Sequence, residues 1–213
     1  MLTIKTIVTG PFQENTFIVK NTENDNALLF DPGEDFEKIN QALETMDAKP
    51  EAILCTHAHL DHVGAVAELQ KKYGVSFYLQ KSEAPILNDF PKACVRWGLP
   101  KPQELPKVTN WLNGDENLQF QTADVEVLFT PGHSAGGCCY KIANHLFSGD
   151  TLFAGSIGRT DFPTGDHQTL LNSIRTKLLT MPDETEVHCG HGPDTTIGRE
   201  WTDNPFLRES TVV

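Results

Sequence analysis

Histidine and aspartate are concentrated in one short stretch, Thr-His-Ala-His-Leu-Asp-His, which spans residues 56–62. Four of its side chains could bind a metal ion: His57, His59, Asp61 and His62. Imidazole and carboxylate ligands suit Zn²⁺ and also Fe or Mn. Positions 57 and 59 point the same way along an extended chain, whereas positions 61 and 62 fall on the first turn of a helix. One segment could therefore serve two metal ions.

Further ligands are needed to complete such a centre, and three candidates lie downstream in turns. They are His133 in Pro-Gly-His-Ser, Asp150 in Ser-Gly-Asp-Thr and His191 in Cys-Gly-His-Gly. A glycine beside each one allows the backbone to approach the site closely. Taken alone, each would be an ordinary turn residue, but together with the first four they predict a cluster for two divalent ions, expected to be Zn²⁺. The remaining histidines, His145, His167 and His188, lie outside these patterns and are expected to be ordinary side chains.

Alternating and helical patterns predict the elements that position these residues. Apolar runs over 3–9, 15–20 and 27–30 indicate a β-meander, and helical spacing follows over 35–47. The His-rich segment lies where a short buried strand passes into a helix, and the other three candidates follow strand ends. Five prolines punctuate residues 82–112, so this stretch is predicted to be short helices and loop, forming a lid or insertion over the site. The element order predicts an α/β fold with two sheets and helices outside them.

Composition limits the classes of partner. The chain has 213 residues and a formal charge of −12, which disfavours nucleic acids and anionic membrane surfaces as partners. No apolar run reaches 18 residues, and the N-terminus lacks the pattern of a signal peptide. We therefore expect a single domain over 1–213, located in the cytoplasm, that is a monomer or a small homo-oligomer and acts on a small molecule.

In their order and spacing, these motifs resemble the metallo-β-lactamase superfamily. The resemblance implies a four-layer αββα sandwich with the metals at one edge of the two sheets. It also implies two ligand sets and a bridging residue: His57, His59 and His133 for the first metal, Asp61, His62 and His191 for the second, and Asp150 between them. Asp31, in Phe-Asp-Pro-Gly, matches a position that supports the ligands from behind, although a strand-ending turn residue is an equal alternative.

Residues 153–162, Phe-Ala-Gly-Ser-Ile-Gly-Arg-Thr-Asp-Phe, resemble the glyoxalase II and persulfide dioxygenase branch of that superfamily. The similarity is greatest to short bacterial glyoxalase-II-like hydrolases, which implies hydrolysis of the thioester S-D-lactoylglutathione. Larger glyoxalase II enzymes carry an added helical domain that contacts glutathione, and this sequence ends at Val213, soon after His191. The glutathione contacts of that domain therefore cannot be transferred to this chain.

The implied mechanism is attack on the thioester carbonyl by a hydroxide that bridges the two metals, whose charge lowers the pKa of water. Asp61 could both bind the second metal and orient the hydroxide. Arg159 is the candidate for binding a substrate carboxylate, because its planar guanidinium can pair with one through two hydrogen bonds. The alternative for Arg159 is a structural ion pair with Asp161.

The main rival is a glutathione persulfide dioxygenase with one Fe²⁺ held by His57, His133 and Asp150. Gly-Pro after the last histidine favours the hydrolase, since the dioxygenases tend to have an aspartate there. A β-lactamase is disfavoured by Asp150 and by the intact Asp61-His62 pair. A catalytically silent binding module would be expected to have lost ligands, and none of the seven is missing.

Overall fold

The computed structural model describes residues 1–208, which form two six-stranded sheets and a small hairpin. The first sheet has the strands in chain order: β1 (Leu2–Thr9), β2 (Glu14–Asn21), β3 (Asn26–Phe30), β4 (Lys49–Leu54), β5 (Ser76–Gln80) and β6 (Asn110–Leu112). The second contains β7 (Glu116–Gln119), β8 (Asp124–Phe129), β9 (Cys138–Ile142), β10 (His145–Gly149), β13 (Glu186–Cys189) and β14 (Thr195–Thr196). The hairpin between β10 and β13 consists of β11 (Leu152–Phe153) and β12 (Ser156–Ile157).

Six α-helices are present in the described residues: α1 (Phe36–Thr45), α2 (Leu60–Val63), α3 (Val66–Tyr73), α4 (Ala84–Arg96), α5 (His167–Ser173) and α6 (Ile197–Asp203). One apolar cluster joins the two sheets, and two others join each sheet to its outer helices. The predicted four-layer αββα sandwich is therefore confirmed. Among residues 1–208, no helix has the length and apolar character needed to cross a bilayer.

The segment predicted as short helices and loop differs from that expectation. Residues 84–96 form the single helix α4, and residues 110–112 form the edge strand β6. Pro85 stands in the first helical turn, where its missing N–H costs nothing. Pro91 lies inside the helix, which nevertheless continues and buries Leu87 and Phe90 against the first sheet. Pro91 does not end the helix because packing of one apolar helix face offsets the lost backbone hydrogen bond.

The sheet order explains how the candidate ligands meet. Strands β3, β4, β5 and β6 are parallel, as are β10 and β13. The carboxyl ends of parallel strands lie at the same edge of a sheet. His57 follows β4, Asp150 follows β10 and His191 follows β13. Face-to-face packing of the sheets brings these two edges together.

Candidate metal centre

Three histidines of the first predicted ligand set converge at this edge. The ligand atoms of His57, His59 and His133 lie within 4.8 Å of one another. Nε2 of His133 is 2.9 Å from Nδ1 of His59. Nδ1 of His133 lies 2.7 Å from the carbonyl oxygen of Arg159, which can only accept a hydrogen bond. His133 therefore carries its proton on Nδ1 and presents the lone pair of Nε2 to the cluster.

The second predicted set forms a neighbouring group. The ligand atoms of Asp61, His62 and His191 also lie within 4.8 Å of one another. Oδ2 of Asp61 is 3.3 Å from Nε2 of His191 and 4.0 Å from Nε2 of His62. Both residues of the Asp61-His62 pair belong to α2, and the ring of His62 also lies close to that of His57, with 4.1 Å between the ring centroids.

Asp150 lies between the two sets, with one carboxylate oxygen toward each. Its Oδ2 is 3.5 Å from Nε2 of His133. Its Oδ1 is 3.4 Å from Nε2 of His62 and 3.7 Å from Nε2 of His191. All seven predicted ligands are thus brought together, and their division into two sets with a bridge stays a prediction.

The donor atoms themselves indicate whether metal ions fit. Nε2 of His57, Nε2 of His62 and Oδ1 of Asp150 are buried and have no hydrogen-bond partner among residues 1–208. Each buried, unsatisfied polar atom costs about 1–3 kcal/mol. Metal coordination would satisfy all three, and imidazole with carboxylate is a ligand chemistry suited to Zn²⁺, Fe or Mn. The residues therefore fit a two-metal centre.

Electrostatics favour the same interpretation. Burial lowers the pKa of His57 well below its ordinary value, and repulsion from the neighbouring imidazoles lowers it further. Burial and the nearby ring of His133 lower the pKa of His59 to about 3. Both rings are therefore neutral at neutral pH, which is the form that binds metals. Burial would also lower the pKa of His62, but Asp150 and Asp31 raise it well above its ordinary value. A positive charge is favoured there, and a bound cation would supply it.

Asp31 lies behind the cluster, and its contacts are compatible both with supporting a ligand and with ending a strand. Its Oδ2 is 3.1 Å from Nδ1 of His62, on the side of the ring away from the other ligands. The same carboxylate accepts hydrogen bonds from the backbone N–H and the hydroxyl of Thr56, at 2.6 and 2.7 Å. Asp31 therefore both ends β3 and orients a candidate ligand.

Two buried polar residues that hold the ligand loops were not predicted from the sequence. Glu83 accepts hydrogen bonds from the N–H groups of Ala58 and Gly136, at 2.8 and 2.7 Å. Asn15 donates to the carbonyl oxygens of Cys189 and Gly192, at 2.9 and 2.8 Å, which are the residues on either side of the His191 turn. Glu83 has no signal in the sequence, whereas Asn15 could have been noticed as a polar residue in an apolar strand.

The His191 turn approaches the cluster so closely that only glycine fits at position 190. A Cβ on Gly190 would lie 2.5 Å from Oδ1 of Asp150 and 2.9 Å from Cε1 of His62. We expect Gly190→Ala to displace the bridging carboxylate and to weaken metal binding by roughly 10–100-fold, as when a ligand's supporting contacts are removed. Equilibrium dialysis followed by elemental analysis measures this loss.

Gly74→Ala is the matched control for that substitution. Gly74 ends α3 with a φ of 66°, and a Cβ there would meet nothing within 4 Å. The alanine should cost about 1–2 kcal/mol through left-handed strain while the metal content stays unchanged. Wild-type metal affinity in Gly190→Ala would show that the turn can move away from the cluster.

A cavity of about 640 Å³ opens onto the cluster, and its floor includes His59, Asp61, His133, Asp150 and His191. Its walls are largely apolar, with aromatic rings contributed by α4, by the loop before β2 and by the loop after β12: Phe12, Phe90, Trp97 and Phe162. The helix α4, in the segment predicted as short helices and loop, is thus one wall of the cavity.

Two guanidinium groups, those of Arg96 and Arg159, also line the cavity. Nε and Nη2 of Arg159 each lie 2.7 Å from a carboxylate oxygen of Asp161, and the guanidinium carbon is 4.3 Å from the ring centroid of Phe162. Arg159 therefore lines the cavity and is also paired with Asp161, so an ion pair with Asp161 does not exclude a contact with substrate. Its binding of substrate stays a prediction.

Comparison with known proteins agrees with the fold. The family model of the metallo-beta-lactamase superfamily matches residues 9–191, which contain all seven candidate ligands. The chain is 39% identical over 215 residues to hydroxyacylglutathione hydrolase GloC of Haemophilus influenzae, and the match covers 99% of this chain and 100% of that one.

Two solved structures are similar along nearly the whole chain. BLEG-1, described as a B3 metallo-beta-lactamase, is 41% identical with a TM-score of 0.90, over 96% of this chain and 99% of that one. TTHA1623, solved in a di-iron-bound form, is 40% identical with a TM-score of 0.86, over 95% of this chain and 100% of that one. This chain belongs to the metallo-β-lactamase superfamily, and it is a metallo-hydrolase of that superfamily.

Proposed function

We propose that the protein hydrolyses S-D-lactoylglutathione or a related hydroxyacyl thioester, with two divalent metal ions as cofactors. The observation that carries the proposal is the position of the two ligand sets, which share Asp150 on the floor of a cavity of about 640 Å³. The full-length similarity to a protein named hydroxyacylglutathione hydrolase supports this choice of substrate.

The cavity suits an anionic substrate with an apolar portion. Aromatic and aliphatic side chains form most of its walls, and Arg96 and Arg159 are the cationic groups among its lining residues. Since the chain has a formal charge of −12, local guanidinium groups are needed to offset repulsion of an anion. A carboxylate of the substrate could pair with either one, while the acyl thioester reaches the floor.

Divalent ions in such a centre lower the pKa of water and stabilise negative charge on a carbonyl oxygen. The side chains of the protein would hold the ions in position and supply the proton acceptor. Asp61 belongs to the second ligand set and also lines the cavity, so its carboxylate can accept a hydrogen bond from the attacking water and orient it. The thiolate leaving group needs little acid assistance. Retained turnover in Asp61→Ala with both ions bound would reject this role.

The decisive experiment compares three reactions on protein purified without added metal. Hydrolysis of S-D-lactoylglutathione, O₂ uptake with glutathione persulfide and hydrolysis of a chromogenic cephalosporin are each measured beside the metal content. We expect thioester hydrolysis with two metal ions per chain. O₂ uptake with one iron and no thioester hydrolysis would overturn the proposal in favour of a dioxygenase. The similarity to BLEG-1 makes β-lactam hydrolysis without thioester hydrolysis the other contrary result.

Arg159 offers a separate test of how the substrate is held. We expect Arg159→Gln to raise KM for an anionic thioester about 10–100-fold with little change in kcat, because a hydrogen bond to a charged group contributes about 1.5–3 kcal/mol. A thioester without carboxylates should show no change. Asp161→Asn, which leaves the guanidinium in place, should keep KM low. If Arg159→Gln and Asp161→Asn lower stability equally and leave KM unchanged, the ion pair stabilises the fold and Arg159 does not bind the substrate.

A further inference from the structure

A second group of side chains of metal-binding types lies on β10 and β13 and shares no residue with the metal centre. His145 begins β10, while Glu186 and His188 belong to β13. The two strands are parallel, with His145 opposite Glu186 and Phe147 opposite His188. All of these residues project from the same face of the sheet because alternate strand residues share a face. Asp150 and His191 follow the other ends of the same strands.

The ligand atoms of this group are as close together as those of the metal centre. Nδ1 of His145 lies 3.1 Å from Nε2 of His188 and 3.4 Å from Oε2 of Glu186. The three ligand atoms lie within 4.8 Å of one another. In a tetrahedral zinc site with metal–ligand distances near 2.0–2.1 Å, neighbouring donors are about 3.3 Å apart. The two separations from Nδ1 of His145 match that value, so an ion could bind between the three side chains with a small adjustment of Glu186.

The environment of His188 is that of a metal ligand rather than of an ordinary surface histidine. The residue is only 5% exposed, and its ring lies against the rings of Phe17 and Phe147. Nδ1 of His188 is 2.8 Å from Oδ2 of Asp194, so the carboxylate fixes the proton on Nδ1. The lone pair of Nε2 is then directed at Nδ1 of His145, 3.1 Å away. A carboxylate behind a histidine is the usual support of a metal-binding ring.

His145 and Glu186 complete the group from the solvent side. The side chains of His145 and Glu186 are 28% and 55% exposed, so an ion can enter without unfolding. Burial and His188 lower the pKa of His145, and its ring is therefore neutral and available. Without a metal, Nδ1–H of His145 can donate a hydrogen bond to Nε2 of His188. With a metal, His145 takes the other tautomer, with its proton on Nε2.

We propose that His145, Glu186 and His188 form an additional binding site for a divalent transition-metal ion such as Zn²⁺, supported by Asp194. Two imidazoles and one carboxylate leave a fourth tetrahedral position for water. A bound ion would join the amino ends of β10 and β13. Through His188 and Asp194 it would also fix both sides of the turn that carries His191.

The test is the zinc stoichiometry of the full chain. Wild-type protein and the variant His145→Ala/Glu186→Gln are dialysed against the same buffered Zn²⁺ solutions, and bound zinc is measured by elemental analysis. We expect the wild type to bind one more Zn²⁺ per chain than the double variant. His167→Ala is the matched control, because His167 is exposed and belongs to neither group, and it should keep the wild-type stoichiometry.

Two further variants keep the proposal open to refutation. If the double variant folds poorly, the single substitution His145→Ala serves in its place, because it removes only a partly exposed ring. It should lose the same Zn²⁺. Asp194→Asn should weaken that binding step about 10–100-fold without abolishing it, as expected for a residue that supports a ligand. Equal zinc content in the wild type and in either His145 variant would overturn the proposal and leave a hydrogen bond between two histidines.

Discussion

Replacing Asp150 with asparagine is expected to reduce turnover on the order of 10³-fold, because metal ions contribute several kcal/mol of transition-state stabilisation in such centres. An asparagine has one oxygen and one NH₂ group, whereas each oxygen of Asp150 faces a different ligand set. Whichever way the amide turns, one set faces an N–H₂ group that cannot bind a cation. We therefore expect Asp150→Asn to lose one of the two metal ions.

Elemental analysis and the thioester assay on the same preparation measure both effects. Asp203→Asn is the matched control, since Asp203 is exposed on α6 and lies outside the cavity lining. It should keep full metal content and activity. An Asp150→Asn protein with two metal ions and normal turnover would show that the carboxylate does not bridge the two sets.

The ligands could be predicted because their chemistry is local. Four of them lie within six residues, so no knowledge of the fold was needed to recognise His57, His59, Asp61 and His62 as a group. The other three stand beside glycines just after predicted strands, and strand ends at one sheet edge meet by topology alone. The four-layer fold was predictable for the same reason, because alternating and helical periodicities are readable over short windows.

The supporting contacts could not be predicted because they join residues far apart in the chain. Asn15 holds the turn around His191, which is more than 170 residues away in sequence. The pairing of His145 with His188 likewise depends on the register of two strands separated by the hairpin and α5. The sequence can mark Asn15 as a polar residue in an apolar strand, but it does not show which distant residues Asn15, His145 or His188 contact.

The cavity walls illustrate a different limit. Prolines in 82–112 predicted short helices and loop, whereas residues 84–96 form one continuous helix that packs Leu87 and Phe90 against the first sheet. The free energy of burying an apolar helix face is summed over many contacts. A single helix-breaking residue such as Pro91 gives no information about that sum. One wall of the cavity is consequently a regular helix.

Glu83 shows how far the site depends on such long-range support. The residue is fully buried, and its two carboxylate oxygens accept hydrogen bonds from separate ligand loops. Ala58 lies between His57 and His59, and Gly136 follows the turn that contains His133. Glu83 therefore links all three histidines of the first ligand set, although it is not itself a ligand. Loss of this one side chain should release both loops.

We accordingly expect Glu83→Ala to lower the free energy of unfolding by roughly 2–5 kcal/mol, because two buried N–H groups lose their acceptors. The first ligand set should lose its metal ion, and turnover should fall with it. Glu83→Gln keeps one acceptor oxygen, so its effects should be smaller, while the exposed Glu37→Ala in α1 should change nothing. Chemical denaturation, elemental analysis and the thioester assay measure the three effects. If Glu83→Ala loses stability but retains two metal ions, the carboxylate stabilises the fold without positioning the ligands.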